Sequence, residues 1–224
     1  MLEKIKNGLV VSCQALADEP LHSPFVMSKM ALAAEMGGAA GIRSNSAEDI
    51  EAIKAVVDLP LIGLIKRDYP DSNVYITPTE QEVSELLATK AEIIALDGTE
   101  RTRPGGADLK QLVERIHQAG RLAMADIATF QDGVRAEEMG FDLVGTTLAG
   151  YTENTKEQTG PAFQLVEKLS QHLRIPVICE GHIETPEEVE KAYQSGAYSV
   201  VVGSAITRPQ LLTKKFVQAL PKNQ

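Results

Sequence analysis

Eight short apolar runs alternate with longer segments of helical pattern along the chain, and no other feature constrains the fold as strongly. Some runs are nearly all apolar, as in LIGLI (61–65) and SVVV (199–202). Such runs are typical of parallel strands buried on both faces. The predicted strands are residues 8–12, 39–42, 61–65, 93–96, 122–125, 143–146, 177–179 and 199–202.

The segments between these strands carry helix start and stop signals. Ser46 opens one helix, with Asp49 standing where a capping box usually has glutamate. Thr185, followed by proline, opens another, because threonine caps helices and proline suits the first helical turn. The helix predicted over 108–119 ends at Gly120, a good residue to follow a helix.

Eight strand–helix units in 224 residues predict a single α/β domain over 1–224, a (β/α)₈ or TIM barrel. Residues 2–6 are predicted to form a short N-terminal helix that closes the bottom of the barrel. A doubly wound open sheet is the alternative. That fold usually has fewer strands and often a glycine-rich dinucleotide turn, which is absent after the first predicted strand.

Composition narrows the class of protein. The 31 acidic and 22 basic residues give a formal net charge of −9, which argues against a nucleic-acid-binding surface but leaves room for an anionic small molecule. No apolar run reaches the roughly 18 residues of a membrane span, and the first residues lack the apolar core of a signal peptide. The two cysteines suit a reducing compartment. We therefore predict a cytoplasmic protein without membrane or nucleic-acid partners, and expect a homo-oligomer such as a dimer.

Polar residues follow the predicted strands almost everywhere. Enzymes with this architecture place their chemistry at the carboxyl ends of the strands. Burying so many polar groups costs free energy unless they pair or bind a ligand. The pattern predicts a ligand site formed by Gln14, Arg43, Lys66, Arg67, Asp97, Asp126, Thr147, Glu180, Gly203 and Ser204.

The last two strands predict a phosphate subsite. Gly181 follows the seventh strand, and Gly203 and Ser204 follow the eighth, where barrels often hold phosphate with backbone N–H groups and a short helix. Arg208 lies a short turn further on and could add a charge-assisted hydrogen bond. The alternative is that both glycines only form tight turns.

Lys66 is the candidate base. Alternation along the third strand places Ile62, Leu64 and Lys66 on one face, so the ammonium group should point into the mouth of the barrel. A lysine acts as a base only when neutral, and lowering its pKa to near 7 requires about 4 kcal/mol from burial or nearby cations. A structural ion pair with a carboxylate is the other interpretation.

The remaining candidates are weaker. His22 and His182 lie in predicted loops, and His117 lies inside a predicted helix. No two histidines have the spacing of metal ligands, so we predict no metal site. The charged segment 97–103 is either a solvated loop or a wall of the pocket.

The sequence around these strand ends resembles one family over essentially the full chain. The stretches that carry the resemblance to the N-acetylmannosamine-6-phosphate 2-epimerase family are VSCQALADEPLH (11–22), GIRSN (41–45), GLIKRDYPDSNVYITPT (63–79), ALDGTERTRP (95–104), MADIAT (124–129), GTTLAGYT (145–152), ICEGHIETPEE (178–188) and VVVGSAITRP (200–209). Gly98 departs from the pattern, in which alanine is expected, and we interpret this position as structural.

The resemblance implies interconversion of N-acetylmannosamine 6-phosphate and N-acetylglucosamine 6-phosphate in sialic acid catabolism, without a metal or nucleotide cofactor. In the open-chain sugar, C2 lies next to the aldehyde, so removal of its proton gives an enolate that charged groups can stabilise. Return of the proton to the other face completes the epimerisation, with either one base or two.

The resemblance also implies a role for each matching residue. Lys66 transfers the proton, Glu180 acts on the C1 or ring oxygen or as a second acid or base, and Asp126 orients Lys66 or the substrate. The groups expected to bind the sugar are Gln14 and Arg43, and those expected to bind the 6-phosphate are Gly181, Gly203, Ser204 and Arg208.

Two other functions fit parts of the pattern. A Schiff-base aldolase would also use a lysine in a small phosphate-binding barrel, but its lysine typically lies on the sixth strand, where this chain has Gly145, Thr146 and Thr147. A non-catalytic phosphosugar sensor would need no acid–base pair, so Lys66 and Glu180 count against it.

Overall fold

The computed structural model describes residues 1–221, and its centre is a closed barrel of eight parallel strands. Each strand pairs with the next along the chain, and β8 pairs with β1, which confirms the predicted TIM barrel and excludes the open sheet. The strands are β1 (Leu9–Cys13), β2 (Gly41–Asn45), β3 (Leu61–Leu64), β4 (Ile93–Asp97), β5 (Leu122–Asp126), β6 (Leu143–Gly145), β7 (Val177–Glu180) and β8 (Ser199–Val202).

Helices connect the strands around the outside. They are α1 (Pro24–Met36), α2 (Ala47–Lys54), α3 (Glu80–Leu87), α4 (Leu109–Gln118), α5 (Phe130–Met139), α6 (Phe163–His172), α7 (Pro186–Gln194), α8 (Ser204–Thr207) and α9 (Pro209–Gln218). Within residues 1–221, none of them has the length and apolar character needed to cross a membrane.

The predicted helix signals are largely confirmed. Thr185 and Glu188 form a reciprocal capping box at the start of α7, and Gly120, with φ 71°, follows the end of α4. The Ser46 hydroxyl accepts a hydrogen bond from the Asp49 backbone N–H, but the Ser46 N–H donates to Leu64 O at 3.0 Å. Only half of the capping box predicted there is therefore formed, because the Ser46 N–H that would donate to the Asp49 side chain donates to strand β3 instead.

The N-terminal helix is shorter than predicted. A 3₁₀ turn covers Leu2–Lys4, and Ile5 behind it is fully buried. Ile5 packs with Val10 and Val201 in the cluster that fills the barrel, so this segment closes the barrel floor as expected.

Strand β2 differs most from its predicted bounds, since it runs from Gly41 to Asn45 instead of over 39–42. The sequence pattern suggests an end at Arg43, because a charged side chain is seldom buried without a partner. In the structure Arg43 is buried inside the barrel with a carboxylate partner, so the strand continues past it.

The core has two layers, and the strand alternation separates them. Outward side chains such as Ile94 and Leu96 pack beneath the helices, while inward side chains fill the barrel. The inward apolar side chains include Ile62, Leu64 and Met124. Two residues beyond them on the same face stand Lys66 and Asp126, so the apolar floor gives way to a charged mouth.

Candidate active site

A cavity of about 680 Å³ opens at the carboxyl ends of the strands. Most of the predicted site residues line it, and they come from β1, β2, β3, β6, β7 and the segment after β8. The predicted residues on its wall are Gln14, Arg43, Lys66, Thr147, Glu180, Gly181, Gly203, Ser204 and Arg208. These predicted strand-end residues therefore meet at one cavity, whereas Arg67, Asp97 and Asp126 do not line it.

Asp126 lies beneath this wall. It is fully buried, and its two carboxylate oxygens accept hydrogen bonds from Arg43 Nη1 at 3.0 Å and Nη2 at 2.6 Å. Thr147 Oγ1 donates to Asp126 Oδ1 at 2.8 Å. Asp126 thus fixes the Arg43 guanidinium from below through a paired, charge-assisted contact.

Arg43 also faces Glu180. Its Nη1 lies 3.0 Å from Glu180 Oε2, and the Glu180 side chain keeps 12% of its surface open. Burial raises the pKa of Glu180 to about 7, against the opposing effect of Arg43, and the nearby Asp126 charge raises it further. Near neutral pH Glu180 can therefore either donate or accept a proton.

Lys66 follows the apolar residues Ile62 and Leu64 and lines the cavity, which confirms the predicted orientation of its side chain. Its backbone N–H donates to Asn45 Oδ1 at 2.7 Å, so the residue is held where β3 ends. Within residues 1–221 no carboxylate lies within ion-pair distance of its ammonium group. The ion-pair interpretation is therefore not what the structure shows.

Burial lowers the pKa of Lys66 to about 8, and the Arg43 and Arg208 guanidinium groups act in the same direction. Glu180 and Asp126 oppose this shift with smaller effects. At about pH 7.5 roughly a quarter of such amines are neutral. Lys66 can thus act as a base without large changes in pH.

The opposite wall of the cavity is formed by the turns after β7 and β8. Gly181 has φ 106°, a backbone conformation that side chains with a Cβ rarely adopt, and Gly203 caps the short helix α8. The Ser204 hydroxyl accepts a hydrogen bond from Arg208 Nη1 at 3.3 Å. The residues predicted to bind phosphate are therefore brought together on one wall.

Gln14 stands between these two walls. Its Nε2 donates to Ser12 Oγ at 2.9 Å, while its Oε1 is buried without a hydrogen-bond partner. A buried polar atom without a partner costs free energy, so a site that offers one is suited to a ligand that donates a hydrogen bond.

Several residues on the wall were not predicted. Tyr151 stacks on His182 with ring centroids 4.8 Å apart, and both line the cavity together with Ser12 and Tyr75. His182 was only a weak candidate, because a loop histidine carries no distinctive pattern. Tyr75 lies in the long loop between β3 and α3 (residues 65–79), and the periodicity of the sequence does not predict where a loop residue points.

The charged segment 97–103 does not line the cavity, so its interpretation as a pocket wall is wrong. Arg103 is buried and donates to three backbone oxygens, those of Thr77, Pro78 and Asp97. Arg103 therefore links the loop between β3 and α3 to the end of β4 through these hydrogen bonds. An added Cβ at Gly98 would lie 2.8 Å from Ala125 Cβ, which makes this position structural.

No metal-binding group occurs in the described part of the chain: no three His, Cys, Asp or Glu side chains there form a set that could hold an ion. The end of β6 supplies Gly145, Thr146 and Thr147. The position where an aldolase of this architecture carries its lysine therefore holds no amine.

Comparison with known proteins agrees with this geometry. Residues 27–222 match the sequence model of a family described as "Putative N-acetylmannosamine-6-phosphate epimerase". A Clostridium perfringens (strain SM101 / Type A) protein named "Putative N-acetylmannosamine-6-phosphate 2-epimerase" is 58% identical over 220 residues, which cover 98% of this chain and all of the relative. The chain belongs to this epimerase family.

One further relative and two solved structures are also similar to the chain. A Clostridioides difficile (strain 630) relative with the same printed name is 56% identical over 223 residues, covering both chains fully. The solved N-acetylmannosamine-6-phosphate 2-epimerase of C. perfringens superposes with a TM-score of 0.96 at 57% identity, covering 98% of this chain and 96% of that one. A thiamine phosphate pyrophosphorylase from Pyrococcus furiosus, at 17% identity and a TM-score of 0.64, shares the fold alone.

Proposed function

We propose that this epimerase-family protein interconverts N-acetylmannosamine 6-phosphate and N-acetylglucosamine 6-phosphate by moving the proton on C2. The observation that carries the proposal is the Lys66 amine, which lines a cavity of about 680 Å³ and whose pKa is lowered to about 8. Epimerisation at C2 needs such a base. The high identity to relatives named for this reaction supports the choice of substrate.

The 6-phosphate binds at the wall formed by Gly181, Gly203, Ser204 and Arg208. Arg208 supplies the positive charge, and the glycine turns let backbone N–H groups approach the oxygens. This end of the cavity lies across from Lys66, so the phosphate anchors the sugar while C2 meets the amine. Gln14, with its unpartnered Oε1, accepts a hydrogen bond from the sugar.

The chemical step begins with the open-chain sugar. The neutral Lys66 amine takes the C2 proton and becomes an ammonium, and the C–H electron pair forms the C1–C2 double bond of an enolate. Protonated Glu180 donates its proton to the C1 oxygen, which gives an enol and a carboxylate. The Lys66 ammonium then returns a proton to the opposite face of C2, and the enol O–H gives its proton back to the Glu180 carboxylate. This restores the aldehyde with C2 inverted and both side chains in their starting states.

Arg43 and Asp126 serve this step without transferring a proton. The guanidinium is held by two hydrogen bonds of 3.0 and 2.6 Å to Asp126, so its positive charge is fixed before the substrate arrives. A preorganised charge stabilises a developing enolate and reorganises little during the reaction. The same charge lowers the pKa of Lys66, which keeps part of the amine neutral.

Proton NMR of N-acetylmannosamine 6-phosphate with the protein in deuterium oxide tests the proposal. We expect the second epimer to appear and the C2 proton signal to be lost together, and Lys66→Ala to stop both while the variant still binds phosphosugar. Normal exchange in Lys66→Ala removes Lys66 from the mechanism. A borohydride-trapped covalent adduct with substrate would instead favour Schiff-base chemistry.

Three properties of the working protein complete the proposal. The whole chain, 1–224, acts as one catalytic domain, since the barrel strands run from Leu9 to Val202. The two cysteines are free and buried, which suits the cytoplasm.

The protein works as a homodimer, in which a subunit contact covers the exposed apolar side chains of Phe216 and Val217 on α9. Sedimentation at several protein concentrations tests the dimer.

A further inference from the structure

The Arg208 guanidinium, proposed above to bind the 6-phosphate, already carries a carboxylate on one side. Glu19 lies in the loop between β1 and α1, with its Oε1 2.9 Å from Arg208 Nε. Its Oε2 accepts a hydrogen bond from Arg208 Nη2 at 3.0 Å. An acidic residue beside a phosphate subsite is unexpected, because its negative charge repels the anion that the site should attract.

The edge of the guanidinium that Glu19 occupies explains its presence. Arginine offers two edges for paired contacts, one formed by Nε and Nη2 and the other by Nη1 and Nη2. Glu19 faces the first edge. Nη1 lies 3.3 Å from the Ser204 hydroxyl on the phosphate wall, so the second edge is turned towards that wall.

Glu19 itself is held rigidly and its charge is shared among several donors. The Leu16 N–H donates to Oε2 at 2.7 Å, and Gln210 Nε2 donates to Oε1 at 3.0 Å. Hydrogen bonds from the Glu19 N–H to Leu16 O and from the His22 N–H to Glu19 O fix the backbone. These contacts weaken the repulsion of a phosphate and give Arg208 a fixed partner.

We propose that Glu19 is a positioning residue for the phosphate: it holds the Nε–Nη2 edge of Arg208 so that the Nη1–Nη2 edge is preorganised for the oxyanion. The inference rests on the proposed function only in taking the ligand to be a phosphosugar. A flexible arginine loses rotamer freedom when it binds, and a partner that orders it in advance removes that loss from the binding step.

Glu19→Gln tests the proposal, because it keeps the shape and removes the charge. Asp18→Asn is the matched control: Asp18 is the preceding residue, is exposed, and makes no ion pair or side-chain hydrogen bond within residues 1–221. The measured quantities are the dissociation constant of inorganic phosphate by calorimetry, and kcat and KM for N-acetylmannosamine 6-phosphate. We expect Glu19→Gln to raise the phosphate dissociation constant and KM about tenfold with kcat changed less than about twofold.

A double variant separates positioning from general damage. In an Arg208→Ala background, Glu19→Gln should change phosphate binding by less than about twofold, because the residue that it acts through is gone. An equal loss in both backgrounds, or a loss in Asp18→Asn as large as in Glu19→Gln, overturns the proposal. Tighter phosphate binding in Glu19→Gln overturns it as well, since Glu19 would then compete with phosphate for Arg208.

Failure of the reaction and failure of this inference are distinguishable. If the wild-type protein binds phosphate with the expected variant pattern but turns over no phosphosugar, the positioning role stands and the reaction falls. If turnover is normal and Glu19→Gln leaves both phosphate affinity and KM unchanged, the reaction stands and the positioning role falls.

Discussion

Replacing Lys66 with methionine should make the protein more stable while it stops the reaction. The pKa of Lys66 is lowered from its ordinary 10.5 to about 8, chiefly by burial. At about 1.4 kcal/mol per pKa unit, the charged amine destabilises the folded state by about 3 kcal/mol at neutral pH. Methionine has a similar length and no charge, so it removes this cost. For a chain of this length the melting temperature should rise by about 9 °C.

The gain should depend on pH in one direction only. Between about pH 8 and pH 10.5 the unfolded chain holds a proton on Lys66 that the folded protein has lost, so the wild-type protein gains stability from this group as pH rises. Lys66→Met lacks this titration. The stability difference should therefore be largest at and below about pH 7 and disappear by about pH 10.5.

Urea unfolding of both proteins at several pH values, together with C2 deuterium exchange, measures the two effects. Lys110→Met is the matched control, because Lys110 is exposed on α4 and should show neither the stabilisation nor its pH dependence. A Lys66→Met protein that is less stable than wild type at neutral pH would refute the reasoning. The attraction of Glu180 and Asp126 for the ammonium would then exceed the cost of burial, and Lys66 would not be poised as a base.

Four further variants or conditions test other parts of the site. A plot of kcat/KM against pH should be bell-shaped with its maximum between about 7 and 8, since Lys66 must be neutral and Glu180 protonated; a monotonic rise contradicts this. Arg208→Ala should raise KM at least about tenfold with kcat nearly unchanged, because the phosphate contact is alike in ground and transition states; steady-state kinetics would expose a fall in kcat instead. Asp126→Asn should lower the free energy of unfolding by about 3 kcal/mol in urea titrations, because it removes the carboxylate that pairs with the buried guanidinium through two hydrogen bonds. Gly181→Ala should cost about 1 kcal/mol of stability and weaken phosphate binding measured by calorimetry, since its φ of 106° strains any residue with a Cβ.

The barrel and the layer of site residues could be predicted from the sequence because strand alternation is a rigid geometric rule. Once Ile62 and Leu64 are assigned to the interior, Lys66 must follow on the same face, and the same rule turns Asp126 inward after Met124. The eight repeats of strand and helix fix which ends of the strands meet. Fold and cavity therefore depend on information that is local in the sequence.

The contacts between side chains within the site could not be predicted in the same way. Arg43 and Asp126 are 83 residues apart, and nothing in either local pattern shows that their side chains meet through two hydrogen bonds. Glu19 likewise reaches Arg208 across 189 residues, from a loop without periodicity. The prediction that segment 97–103 forms a wall of the pocket was wrong because Arg103 donates hydrogen bonds to backbone oxygens beneath the surface. The composition of a loop does not reveal such contacts.

The contacts found only in the structure also explain why the site holds one mobile proton. Arg43 and Asp126 form a buried ion pair held by two hydrogen bonds, so they contribute a fixed field and transfer no proton themselves. Lys66 and Glu180 remain, with pKa values of about 8 and about 7. Moving a proton from Glu180 to Lys66 therefore changes the free energy by only on the order of 1 kcal/mol. Two groups matched in this way can give and take protons at a substrate held between them without either being trapped in one state, which is what an epimerase needs in both directions of its reaction.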